Sequence, residues 1–437
     1  MGKRARYKSI SFEQSEKIPR ENTLTAAQKT AWYLRPVTWL LSVWEVIFMY
    51  RTKIHKEAMK GFKAPYLVLC NHNSFIDFKV FTMATFPQRA NYIVALDGFI
   101  SRNWLLRTVG GVCCRKFIKD IMVIKQIQHC LTVNRCITAL YPEARYSLIG
   151  TTSIIPSSVG KLIKMLEINT ASLVCHGNHL LHPAWSKHTR HQARLEAVFS
   201  PICTQEETRT LSAEQINERI QKAMHYDDYQ YQADKKLKIT HKRRAEGIEK
   251  VLYQCPNCKT ESSISSKGAV ITCEACGKQW KMTEYGKIVA LQGDTEFEHI
   301  PTWYEWQQRN VQQEIKDGKY GFCEEVMVEN LINSNGFYRL GKGMLTHNNK
   351  GFELRLHATG DTPIFTRTAG ENHSIHIEFE YFGKGDAIVI SNRSNSYYLY
   401  PTHKKLSVTK VHFAVEELFQ LQTNKVNLPL EVIAEMI

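Results

Sequence analysis

Four short runs in the first half of the chain are apolar on consecutive rather than alternate residues: "APYLVLC" (64–70), "ANYIVAL" (90–96), "CITALYP" (136–142) and "ASLVCHG" (171–177). A strand that buries one face alternates apolar and polar residues; a strand buried on both faces does not. Between the runs, "WLLRTVG" (104–110) and "VGKLIKMLEI" (159–168) carry helical patterns. Alternation of this kind predicts an α/β domain with a mainly parallel sheet over about 64–202. Such sheets place their sites at the carboxyl ends of the strands.

The first run ends unusually. In "LVLCNHNSFIDFKV" (67–80), His72 emerges where the strand stops, and Asp77 falls about one turn into the next helix. A histidine beside a carboxylate is a general base with its ring oriented and its imidazolium stabilised. It needs no nucleophilic serine if the substrate brings the hydroxyl. H-x-x-x-x-D alone is weak, since a surface histidine and a helix-capping aspartate would also produce it. A second cluster, "ALYPEARYS" (139–147), also follows an apolar run and places Glu143 and Arg145 just after Pro142. Arginine at such a turn suits a phosphate or carboxylate; a local Glu–Arg ion pair is the plainer alternative.

Taken together, the two clusters resemble the glycerolipid acyltransferases typified by 1-acylglycerol-3-phosphate acyltransferase. The family's N-H-x-S-x-x-D block is similar to Asn71-His72-Asn73-Ser74-Phe75-Ile76-Asp77, and its F/Y-P-E-G-T-R-S block to "YPEARYS". Its G-x-x-F-I-x-R block is loosely matched by "GGVCCRK" (110–116), and its fourth by "ASLVCHGNHLLHP" (171–183). The resemblance covers roughly residues 30–205. It implies acyl transfer from acyl-CoA or acyl-carrier protein to the hydroxyl of a lysophospholipid acceptor such as 1-acylglycerol-3-phosphate. His72 would be the base and Asp77 its support. Asn71, Ser74, Arg115, Lys116, Glu143 and Arg145 would bind substrate, Glu143 and Arg145 placing the acceptor and Arg115 or Lys116 near its phosphate. Departures fall on the headgroup residues. Tyr146 stands where the third block has its arginine, Arg145 comes one position early, and Lys116 replaces an arginine. The rival reading is a non-catalytic lipid- or nucleic-acid-binding scaffold.

Net charge, +15 from 57 Lys+Arg and 42 Asp+Glu, points to an anionic partner. "VTWLLSVWEVIFMY" (37–50) is too short to span a bilayer and is interrupted by Glu45. With Arg35 and Arg51 flanking it and Trp39 and Trp44 inside, it suits a helix lying in the interface of an anionic membrane surface. Residues 1–30 are polar and basic and are expected to be poorly ordered. "MGKRARYKSISFEQSEK" has no apolar core, so no secretory signal is expected. The expected location is the cytoplasmic face of the cell membrane, as a peripheral protein.

Of 12 cysteines, Cys255, Cys258, Cys273 and Cys276 form two C-x-x-C pairs with 14 residues between them. Four thiolates make a closed tetrahedral site, so residues 251–292 read as a ribbon around a structural zinc. Zinc ribbons can bind nucleic acid, but the basic charge also lies beside the apolar helix, so nucleic acid is not the expected partner. Residues 206–250 read as a charged helical arm. From 320 to 437 the pattern turns to β, with a hairpin signal at Asn348-Asn349-Lys350-Gly351 and a final helix near 407–422. That region resembles a pleckstrin-homology or GRAM-like β-barrel closed by a helix.

Overall fold

A computed structural model describes residues 7–21, 25–403 and 406–426. Its first element is a short strand, β1 (Tyr7–Ser9), followed by a helix (Phe12–Glu16) that starts on a Ser11–Gln14 capping box. Seven strands then form one mixed sheet: β2 (Lys53–His55), β3 (Leu67–Cys70), β4 (Ala90–Ala95), β5 (Gly111–Cys114), β6 (Ile137–Leu140), β7 (Thr170–His176) and β8 (Glu196–Cys203). Their spatial order is β2-β8-β7-β3-β6-β4-β5. From β7 to β5 every neighbouring pair is parallel; β8 runs antiparallel to β7, and β2 runs with β8. β3 lies in the middle. Its side chains feed two separate cores, Val68 and Cys70 on one face and Leu67 and Leu69 on the other. That is why the run is apolar at every position, and at about 1.5–3 kcal/mol per buried side chain it fixes β3 as a central strand.

Next come four antiparallel strands, β9 (Ile264–Lys267), β10 (Val270–Cys273), β11 (Gln279–Met282) and β12 (Ile288–Ala290), in the order β12-β11-β10-β9. Trp280 of β11 is buried, its ring 5.3 Å from that of Trp303 on the helix Ile300–Lys316. The last region pairs β13 (Gly321–Asn333), β14 (Gly336–Asn348), β15 (Gly351–Leu356), β16 (Pro363–Thr368), β17 (His376–Glu378), β18 (Ala387–Ser391) and β19 (Ser396–Pro401). The order is β16-β15-β14-β13-β19-β18-β17, with antiparallel neighbours throughout. Among the described residues this pairing is an open path from β16 to β17. A helix, Val408–Val426, packs its Val411, Phe413 and Val415 into the same core as Val68 and Trp280.

The N-terminal segment departs from its expectation. Residues 1–6 and 22–24 lie outside the described residues, but β1 pairs in parallel with β14, and Arg339 and Lys384 lie over the Tyr7 ring. A basic, polar segment is ordered here because it completes a sheet edge and finds cation–π partners. The 206–250 stretch is not a solvated arm. It folds as helices Gln205–Thr210, Ala213–Ala223 and Asp228–Asp234, and Ile216, Ile220, Met224 and Tyr226 are buried against the first domain. After these helices the chain runs on with Leu237, Ile239 and Ala245 buried. Residues 427–437, the end of the expected C-terminal domain, lie outside the described residues.

The apolar stretch forms a helix, Leu34–Val43, that continues as a π-helical turn, Trp44–Met49. Leu40, Leu41, Trp44 and Phe48 are exposed. Arg35, expected near headgroups, is instead buried, donating to the Tyr92 hydroxyl at 3.2 Å and the Thr85 hydroxyl at 3.3 Å. No helix among the described residues is long and apolar enough to cross a membrane.

Candidate active site

His72 follows the carboxyl end of β3, and the chain turns at once into the helix Ile76–Thr85, which carries Asp77 in its first turn. The Asp77 carboxylate is buried and receives four bonds. Oδ2 accepts from the Asn73 and Ser74 amides at 2.6 and 3.0 Å and lies 3.2 Å from His72 Nδ1; Oδ1 accepts from Asn178 Nδ2 at 2.5 Å. The helix N-terminus and this many donors hold the carboxylate firmly in place. A neutral His72 ring that donates from Nδ1 to this acceptor leaves the lone pair on Nε2. Tyr141 and Tyr146 flank the imidazole, each ring centroid 4.3 Å from that of His72. The His72 side chain keeps 25% of its surface exposed, whereas Asp77 keeps 1%. The pair therefore combines an accessible base with a shielded, preorganised acid.

The other residues singled out from the sequence divide by what they touch. Asn71 is an internal clamp: its Nδ2 donates to the Cys175 carbonyl and its Oδ1 accepts from the Cys175 amide, both at 2.8 Å, tying β3 to β7. The side chain is fully buried there. Ser74 helps through its backbone amide, and its hydroxyl is buried. Glu143 is buried. It accepts from the Ser153 amide at 3.2 Å, and the Tyr226 hydroxyl lies 3.4 Å from Oε2 and 2.9 Å from Asn73 Oδ1. Burial pushes the Glu143 carboxyl up to about 7, against the lowering effects of Ser153 and Arg145. It braces the loop around His72.

The three cations expected to bind substrate are all engaged by the C-terminal sheet and helix. Arg115 Nη1 donates to the Leu331 carbonyl at 2.7 Å and Ser396 Oγ at 2.9 Å; Nη2 donates to the carbonyls of Ile332 at 2.6 Å and Ser394 at 2.9 Å. Lys116 Nζ is 2.8 Å from His376 Nε2, 3.5 Å from Asp97 and 3.8 Å from Glu378. Arg145 Nη2 lies 3.1 Å from both His412 Nε2 and Glu416 Oε1, and Ser374 also donates to Glu416 at 2.8 Å. Arginine buried with carbonyls and a carboxylate is a structural tie. In this structure Arg115, Lys116 and Arg145, expected to bind substrate, each have protein partners.

Tyr146 and three residues not singled out beforehand, Asn178, Tyr141 and Tyr226, complete the site. Asn178 had a signal, since it sits at the carboxyl end of β7, the neighbour of β3. Tyr226 lay unseen in what read as an arm.

The four paired cysteines come together as a candidate metal centre. One sulfur from each of Cys255, Cys258, Cys273 and Cys276 lies within 4.8 Å of the others. Each pair uses the same turn: the Lys259 amide bonds to the Cys255 carbonyl at 2.9 Å and the Gly277 amide to the Cys273 carbonyl at 2.8 Å. Both turn residues have positive φ, 62° and 75°. The Cys258 amide and Asn257 Nδ2 point at sulfurs, at 3.5 and 3.4 Å, as donors to thiolates do. The donor set fits a tetrahedral metal ion. His176, His179 and His182 form no such group among the described residues.

No protein-family model matches the chain, and no curated protein matches it. Among solved structures it is similar to the 1-acyl-sn-glycerophosphate (LPA) acyltransferase PlsC from Thermotoga maritima, at 14% identity over 44% of this chain and 77% of that one, with a TM-score of 0.35. A likeness of that size decides neither reaction nor substrate, so any reading of function rests on the geometry around His72.

Proposed function

We propose that the protein is an acyltransferase that moves an acyl group from a thioester, acyl-CoA or acyl-carrier protein, to the hydroxyl of a lipid. The observation that carries this reading is the His72–Asp77 pair: a partly exposed imidazole whose Nδ1 is held by a buried, fourfold hydrogen-bonded carboxylate. His72 Nε2 takes the proton of the acceptor hydroxyl as its oxygen attacks the thioester carbonyl. The new C–O bond forms, the C–S bond breaks, and the imidazolium returns the proton to the leaving thiolate. Asp77 stabilises the imidazolium between those steps. The motif resemblance supports the same chemistry through Asn71–Asp77 and Glu143.

A lipid acceptor is supported by the surface next to the site. The exposed apolar helix Leu34–Val43 and its π-helical extension pack on the helix that holds Asp77, with Lys79 paired to Glu45. Phe75, between His72 and Asp77, is 62% exposed. An apolar patch this large suits contact with a membrane surface. The cysteine centre would hold a structural zinc, and the seven antiparallel strands followed by a helix are in keeping with a pleckstrin-homology-like module. The test is transfer of label from acyl-CoA or acyl-carrier protein to lipid hydroxyls by the purified protein. An ester product supports the reading; release of free fatty acid alone, with no ester formed, contradicts it.

A further inference from the structure

If the chain transfers acyl groups as proposed, its surroundings also select the acceptor. Arg115, Lys116 and Arg145 have partners already, and those partners sit in an interface built like a core. Leu96, Phe99 and Cys113 of the first domain pack with Leu331, Phe337 and Val389 of the C-terminal sheet. Opening that interface to free a cation would expose apolar surface and leave the carbonyls of Leu331 and Ile332 without the guanidinium. Lys116 faces two carboxylates, Asp97 and Glu378, and burial lowers the pKa of its third neighbour, His376. Two carboxylates thus already face this one ammonium. Lys79, on the same helix as Asp77, is paired with Glu45 and lies over the Phe75 ring. Beside His72 itself stand two tyrosine rings, and one of them, Tyr146, occupies the place where the resembled motif has its arginine. A phosphate monoester brought to His72 would shed water and meet only cations already paired with carboxylates or carbonyls, Arg145 keeping just its buried Nε and Nη1 unbonded.

We propose that the acceptor is an uncharged lipid alcohol, a monoacylglycerol or long-chain alcohol, held by the aromatic walls around His72 and the apolar surface at Phe75. The step is the one already written: the alcohol proton passes to His72 Nε2, the alcohol oxygen forms the ester bond, the thioester C–S bond breaks, and the thiol leaves with the proton.

The full-length, metal-loaded protein is to be assayed with acyl-CoA and, separately, acyl-carrier protein, against monoacylglycerol and lysophosphatidate of equal chain length. The expected result is a kcat/KM at least about tenfold higher for monoacylglycerol, abolished in His72→Ala. In Tyr146→Arg the preference narrows toward lysophosphatidate. Equal or better use of lysophosphatidate by the wild type overturns the proposal while leaving acyl transfer standing. So does lysophosphatidate turnover that appears only when Glu416→Gln frees Arg145, because the cation would then be a headgroup ligand under a lock. Failure of every acceptor with both donors, in folded protein, overturns the acyltransferase reading and this proposal with it.

Discussion

Arg115→Ala separates the two roles that a basic residue in this loop can have. The guanidinium makes four bonds across the interface, to the carbonyls of Leu331, Ile332 and Ser394 and to Ser396 Oγ. Its environment is dry enough to push the guanidinium down to about 10, so part of each bond's value offsets desolvation. At about 1 kcal/mol net for each bond, the variant loses about 4 kcal/mol. The domains share a continuous core, so the chain is treated as one unfolding unit of 437 residues. Unfolding entropy of about 2.1 cal/mol/K per residue then gives about 0.9 kcal/mol/K, and the loss lowers Tm by about 4 °C. Arg115→Lys keeps the charge without the fork and falls between wild type and alanine. The assay is calorimetry of the three proteins beside acceptor KM at a temperature where all are folded. The geometry predicts a lower Tm and an unchanged KM. A wild-type Tm with a KM raised about tenfold would refute the argument and restore Arg115 as a substrate ligand.

Three further outcomes follow from the same geometry. Glu143 sits at about 7 in the fold against 4.5 for the free side chain, so the folded state holds the extra proton between those values. Stability therefore falls as pH rises through that window, by up to about 3 kcal/mol; Asp228, pushed by burial to about 8, adds to the same slope. Melting temperature against pH should be flatter in Glu143→Gln, and an identical slope would count against the buried carboxyl. Ala144 has φ of 55°, where an L-residue costs about 1–2 kcal/mol; Ala144→Gly should raise Tm by about 1 °C, and a fall would show that the backbone is not strained there. Metal analysis should find one zinc per chain. Stripping it with a strong chelator should lower Tm well beyond the Arg115 effect, because Cys255 and Cys273 lie in the same core as Trp280 and Trp303; structural zinc contributes on the order of 10 kcal/mol to small sites.

What could be seen in the sequence was whatever rests on local spacing. The end of β3 at His72, the one-turn offset to Asp77 and the two cysteine knuckles are each set by a few consecutive residues. The partners of the cations are not. Arg115 meets Leu331 and Ser396 from 216 and 281 positions away, and Arg145 meets Glu416 from 271. A cation's charge is legible in a sequence, but whether a ligand or a distant helix neutralises it is not. The short β1 has no periodicity to reveal it, since Tyr7-Lys8-Ser9 owes its place to the edge of β14. The supposed arm is a different case. Ile216 and Ile220 are one helical turn apart and both buried, so the signal for a packed helix was present under the heavy charge of its other face.

The central claim is that His72, held by Asp77, removes the proton from a lipid hydroxyl during acyl transfer. The direct measurement is the initial rate of ester formation by wild type, His72→Ala and Asp77→Asn, matched for metal content and circular dichroism. Loss of roughly 10²–10⁴-fold in His72→Ala, with Asp77→Asn also impaired, is the predicted result. Ester formation at the wild-type rate in His72→Ala would contradict the account.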